Sequence, residues 1–221
     1  MMLYDRRVRL LASCLSAVAG YVDAIGFLMT GGFFVSFMSG NTTRLGIGLA
    51  EVSGHAAFAA GLIVTFVAGA ALGALVGRLA GRARHPLVLL LVAGLLGCAA
   101  LLDMIGADHM AITLIVLAMG AENTVFAEHG EVRIGLTYMT GTLVKLGKRL
   151  TATLFGGDRF GWVPLFVLWM GLLTGAVLGA VAYRFVGAQA LWGAAGIMSL
   201  MAVVSIAIGT DTRVELRGPA N

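Results

Sequence analysis

Uncharged apolar runs alternate with short polar clusters along the whole chain. Residues 56–77, 160–183 and 185–210 contain no Asp, Glu, Lys or Arg, and each reaches the ~20 residues that carry a helix across a bilayer. Residues 86–102 are slightly shorter and become sufficient with their flanks. Residues 10–30 and 110–127 read as two more spans, each interrupted by one acid, Asp23 and Glu122. The pattern thus predicts six crossing helices. Basic residues ahead of the first run resemble the start of a signal peptide. Asp23 inside that run, and the lack of a convincing cleavage site, favour a retained first helix.

The pattern also occurs twice. FMSGNTTRLG (37–46) returns as YMTGTLVKLG (138–147), and GAALGALVGR (69–78) returns as GAVLGAVAYR (175–184). Both pairs are displaced by about 100 positions, as one duplication with a few inserted residues would leave them. The chain divides into repeat 1 (10–106) and repeat 2 (110–209) within one membrane domain (1–221).

Charge fixes the expected topology. Cationic residues of membrane proteins collect on the cytoplasmic side. Arg6, Arg7 and Arg9, then Arg78, Arg82 and Arg84, then Lys145, Lys148, Arg149 and Arg159, and finally Arg213 and Arg217 mark that side, while the acidic stretch 103–109 suits the opposite one. These placements agree only if the motif at 33–50 does not cross, and if its copy at 133–151 likewise enters and leaves on one side. The expectation is an all-α integral membrane protein with six transmembrane helices, two broken or re-entrant segments and both termini inside. Three crossings per repeat is an odd number, so the copies are expected to be inverted, a recurring transporter design. In an alternative arrangement each motif crosses fully, giving eight spans and parallel repeats.

The motif has the chemistry of a broken helix. Phe33, Phe34, Val35 and Phe37, with Thr137 and Tyr138 in the copy, favour extended backbone. Gly40 and Gly141 relax the turn, and Asn41 and Thr42, or Thr140 and Thr142, are placed to cap a helix starting there. A helix that starts inside the membrane presents unpaired N–H groups and a positive dipole end. That suits an anionic or strongly dipolar solute. Ser39, Gly40, Asn41, Thr42, Asn123, Thr140, Gly141 and Thr142 are therefore the candidate solute-binding residues. Their competing role is close helix packing.

Asp23 and Glu122 are candidates for proton coupling, because carboxyl groups inside a span are costly and functional by default. Aligning Gly20 with Gly120 pairs Asp23 with Asn123. A structural role for Asp23, solvated at the outer interface or paired with Arg44, competes. Cys14 and Cys98 read as small buried packing residues. The four histidines have no metal-ligand spacing, and no metal site or cofactor is expected. Gly69, Gly73 and Gly77, with Gly175 and Gly179, lie one helical turn apart and suit close helix contact, within the chain or in a homodimer. Trp162 is placed as an interfacial anchor.

Composition agrees with this picture. Hydrophobic residues make up 59% of the chain and charged residues 12%, about half the charged fraction of soluble domains, and the mean hydropathy is +0.96. The pI of 9.5 comes without a basic stripe interleaved with aromatics, so membrane lipid rather than nucleic acid is the expected surroundings. No Walker motif, nucleophile elbow or dinucleotide fingerprint occurs, and an enzyme is not expected.

GYVDAIGFL (20–28), FVSFMSGNTTRLG (34–46) and LTYMTGTLVKLG (136–147) resemble the signature segments of the YoaK family of multi-pass bacterial inner-membrane proteins, over essentially the whole chain. The family's Gln-Asn-Ala stands here as Glu122, Asn123 and Thr124, a departure at Glu122 that leaves Asn123 in place. The resemblance implies a membrane protein with a transport role and supplies no substrate. The short broken segments are also similar in style to those of nucleobase permeases and sulfate-type anion transporters. Two functional classes stay open: a secondary transporter or channel for a small polar or anionic solute, and a non-transporting scaffold or assembly partner. A polar cavity between the repeats would favour the first.

Overall fold

In the computed structural model, which describes residues 6–128, 131–132 and 137–208, the apolar runs fold as helices. Repeat 1 contributes α1 (Arg6–Met29), α2 (Met38–Ala50), α3 (Gly54–Ala80) and α4 (Arg84–Met104). Repeat 2 contributes α5 (Asp108–Glu122), α6 (Met139–Leu154), α7 (Val163–Val186) and α8 (Leu191–Ile208). Short 3-10 turns join α3 to α4 (Gly81–Ala83) and α7 to α8 (Gly187–Ala190), and a two-residue antiparallel ladder, Ala127–Glu128 with Glu131–Val132, follows α5. Among the described residues, three stretches are long and apolar enough to cross a membrane: Arg9–Met29, Gly54–Met104 and Val163–Ala207. The second holds α3 and α4, the third α7 and most of α8. Helix α5, with 15 residues, is about 22 Å long against a hydrocarbon core of ~30 Å. It stops at Glu122 rather than near residue 127.

The helices pack as two equivalent crossings. A side chain at Gly175 of α7 would collide with the carbonyl of Ala17 on α1, and one at Gly179 with that of Tyr21. At the related positions of α3, Gly69 faces Leu117 of α5, and Gly73 faces Ala121 and Thr124. Each first helix returns the contact, Gly20 against Leu172 and Gly120 against Phe66. The first helix of each repeat thus lies against the third helix of the other, with no room for a Cβ at the crossing. Lipid tails are as apolar as leucine, so such helices associate through close packing of small residues rather than hydrophobic burial. The glycines that suggested a homodimer contact are therefore already occupied within the chain.

Contact order gives the helix directions. Ala17 and Tyr21 meet Gly175 and Gly179 in rising order, so α1 and α7 run parallel, and α3 and α5 do the same. Gly97 of α4 lies against Trp192 of α8, while Gln189 before α8 donates to Ala100 O (3.2 Å) and Asp103 Oδ2 (3.1 Å). Rising numbers in α4 thus meet falling numbers in α8, and the two are antiparallel. Leu15, Ile25, Leu89, Leu96, Ile115, Met119, Leu191 and Met198 fill the core between these pairs. Cys14 and Cys98, expected to be buried, face outward, off the inward stripes that carry Leu11, Leu15 and Val18 on α1 and Leu89, Val92 and Leu96 on α4.

Candidate functional site

Between α1 and α2 the chain reverses at Gly31 and Gly32, both at positive φ (67° and 115°), a conformation that glycine adopts without steric cost. Residues 33–37 then run irregularly into α2 without a sheet partner, and their backbone polar groups need side-chain partners. Asp23, buried in α1, supplies the first: its Oδ1 accepts the N–H of Val35 (3.0 Å) and of Ser36 (2.8 Å). Asn41, fully buried, supplies the second. Its Oδ1 accepts the Phe34 N–H (3.0 Å), and its Nδ2 donates to Phe34 O (2.6 Å). Thr30 Oγ1 accepts the Phe33 N–H (3.0 Å) and donates to Phe33 O (2.7 Å).

Repeat 2 places a related clasp. Asn123, the counterpart of Asp23, donates to Met119 O (2.9 Å) and accepts the Thr137 hydroxyl (2.9 Å). Thr142, the counterpart of Asn41, only turns back on Tyr138 O (3.3 Å).

These bonds correct several expectations. Helix α2 begins at Met38 and α6 at Met139, earlier than Gly40 and Gly141, and neither has a side-chain cap. The preceding aromatics, Phe37 and Tyr138, hold the N-cap positions. Asn41 sits one turn inside α2 because the irregular segment recruits its amide, and Thr42 is exposed, donating to Met38 O (2.8 Å). Asp23 does not pair with Arg44, whose guanidinium lies 4.9 Å above the Phe33 ring. Gly40 makes room for the Phe34 ring, whereas nothing approaches Gly141.

The two helix starts meet at a cavity of about 450 Å³. Its wall is residues 36–39 on one side, residues 137–141 on the other, and Phe66 of α3. Of the solute-binding candidates, Ser39, Thr140 and Gly141 line it. Gly40, Asn41, Thr42, Asn123 and Thr142 do not, nor do Asp23 and Glu122. Asp23 and Asn123 stand behind the wall, holding Ser36 and Thr137 in place. Ser36, Thr137 and Phe66 were not legible as site residues, although V-S-F-M (35–38) and L-T-Y-M (136–139) show that the repeat begins one position before the motif.

The lining carries the polar residues Ser36, Ser39, Thr137, Thr140 and Tyr138, set among Phe37, Met38, Phe66 and Met139; the Thr137 hydroxyl is already donated to Asn123. Among the described residues the amide N–H groups of Ser39 and Gly141 find no acceptor, while the Ser36 hydroxyl is buried beside the Asp23 carboxyl and does not open on the cavity. Two helix N-termini and these donors offer the cavity a positive, donor-rich end. Glu122 lies elsewhere, fully buried on α5, with neither carboxyl oxygen hydrogen-bonded among the described residues.

Residues 11–204 match the family described as "Protein of unknown function (DUF1275)". The chain is 40% identical over 197 residues to the UPF0700 transmembrane protein RA0705 of Rhizobium meliloti, covering 82% of this chain and 79% of that protein. It is 30% identical over 156 residues to the UPF0700 transmembrane protein YoaK of Bacillus subtilis, covering 66% of this chain and 68% of that one. No solved structure matches. With the family's match spanning nearly every helix, this chain belongs to the YoaK (DUF1275) family of transmembrane proteins.

Proposed function

We propose that the chain is a secondary transporter or channel of the bacterial inner membrane for a small polar or anionic solute, held in the cavity between the starts of α2 and α6. The observation that carries this reading is the meeting of two short helix N-termini, with unpaired amides at Ser39 and Gly141, at one cavity of about 450 Å³. A cavity of a few hundred cubic ångströms suits a small ligand, and a helix start that opens on a cavity at membrane depth needs an acceptor that an anion or dipole supplies.

Six helices, α1, α3, α4, α5, α7 and α8, cross in this reading, and the repeats are inverted, with both termini cytoplasmic. The antiparallel α4 and α8 support it. Eight crossings in parallel repeats would make those two counterparts run the same way. Of the two acids, Asp23 is engaged with backbone amides, so Glu122 is the better candidate for proton coupling. The scaffold alternative draws on one fact: Asp23, Asn41, Asn123 and Thr142 all bond to the chain itself.

The test is a thermal-shift panel of inorganic anions, nucleobases and amino acids on the purified full chain, followed by proteoliposome flux of any solute that stabilises it. Ser39→Phe, which fills the cavity from an exposed position, should abolish both responses while leaving the unliganded midpoint within a few degrees of wild type. Glu122→Gln should remove the pH dependence of flux if that carboxyl carries the coupled proton. If no solute shifts wild type, or if Ser39→Phe transports normally, the transport site is not here.

A further inference from the structure

The two motif helices diverge where one is packed and the other is not. Aligned through their first residues, Met38 and Met139, the copies match as far as Leu45 and Leu146, Gly46 and Gly147. Then Ile47 and Gly48 of α2 become Lys148 and Arg149 of α6. Gly48 is buried and lies against the backbone of Ala56, 2.7 Å from where its Cβ would stand, so α2 closes tightly onto α3. Arg149 at the same place forbids that approach to α7. Within α6 only Met139 and Thr142 are buried.

What this leaves outside is sorted by face. Met139, Leu143, Leu146, Leu150 and Leu154 recur at the spacing of one helical stripe, and Leu143, Leu150 and Leu154 are 42%, 45% and 82% exposed. Lys145, Lys148 and Arg149, all exposed, fall on the opposite side, and α6 contains no Asp or Glu. Helix α2 carries one cation, Arg44, and that one is engaged with Phe33. An amphipathic helix with leucines on one face, and with cations and no acid across its other side, has the pattern that lies in a membrane interface and attracts anionic headgroups.

We infer that α6 is a docking surface for anionic phospholipid, its leucine stripe entering the acyl boundary while Lys145, Lys148 and Arg149 take the headgroup phosphates. The leucines supply insertion and the cations the preference for negative charge. This inference stands independently of the transport reading, since it uses the outer faces of α6 and not the cavity.

The experiment titrates the purified full chain in detergent with phosphatidylglycerol, and separately with phosphatidylcholine, following thermal stabilisation. Wild type should be stabilised at lower concentrations of phosphatidylglycerol, and added salt should erase the difference. The triple variant Lys145→Gln/Lys148→Gln/Arg149→Gln should need about a hundredfold more phosphatidylglycerol, roughly fivefold per cation. The charge-keeping Lys145→Arg/Lys148→Arg/Arg149→Lys should behave as wild type, and so should Arg78→Gln/Arg82→Gln, which removes exposed cations elsewhere. The inference is overturned if the triple glutamine variant responds to phosphatidylglycerol like wild type, or if inorganic phosphate at equal concentration stabilises wild type as well as the lipid does and the triple glutamine variant loses that response too. Cross-linking of a cysteine at position 148 to a second copy would overturn it too, since the face would then be covered by protein.

Discussion

One carboxyl oxygen of Asp23 accepts two successive backbone N–H groups, those of Val35 and Ser36. In water this arrangement would contribute little, but a buried amide without an acceptor costs about 1–3 kcal/mol. Asp23→Ala should therefore lower the thermal midpoint of the purified protein by about 5–10 °C. Asp23→Asn should cost much less, because repeat 2 does comparable work with Asn123, whose amide oxygen takes the Thr137 hydroxyl. Differential scanning fluorimetry of both variants decides the matter. Equal losses would mean that Asp23 acts through its charge and not as a hydrogen-bond acceptor. The sequence marked Asp23, Asn41 and Asn123 as conspicuous because polar side chains are rare in spans, and the structure keeps all three buried. It did not reveal their partners. A side chain whose partner lies 7 to 14 positions away, backbone for Asp23 and Asn41 and a hydroxyl for Asn123, leaves no local spacing to detect.

At the scale of elements, α2 and α6 begin alike and are held differently. Phe34 is bound through both its N–H and its C=O by Asn41, and Gly48 seats α2 on α3. Thr142 makes only a local bond, and α6 is exposed over most of its length. Local opening follows from few buried contacts and few tertiary hydrogen bonds. Amides in the middle of α6 should therefore exchange with deuterium about tenfold or more faster than those of α2, in detergent without anionic lipid. Peptide-level exchange mass spectrometry measures this, and equal protection would show that the clasp around Asn41 is not what holds α2. The existence of both short helices was legible, since the repeat is preserved from Phe37 and Tyr138 onward. Their starts were misplaced because Asn and Thr are familiar capping residues. Here tertiary demand from the irregular segment recruits Asn41 instead, and aromatic residues occupy the N-caps beside the cavity.

For the whole molecule, the glycine crossings link the repeats so completely that neither half is packed without the other. The first helix of each lies against the third of its partner, and α4 meets α8 where Gln189 bonds Ala100 and Asp103. The helical, membrane-type apolar stretches and the glycine series were legible from period and composition. The exchange of helices was not, since a glycine stripe says that something approaches closely without naming it. The proposed inversion has a directly measurable consequence. If α3 returns to the cytoplasm, the turn at Gly81–Ala83 and its arginines lie inside, and the turn after α4, with Gly106, lies outside. In a Cys14→Ala/Cys98→Ala background, needed because both native thiols face outward, a cysteine at position 106 should react with an impermeant maleimide added to intact cells. One at position 82 should react only after permeabilisation. The exposed side chain of Arg82 makes that protection a matter of sidedness and not of burial. Labelling of position 82 from outside, with position 106 protected, would reverse the orientation. Labelling of neither before permeabilisation would leave the α3–α4 pair without a crossing between the two turns, and would remove the six-helix inverted arrangement altogether.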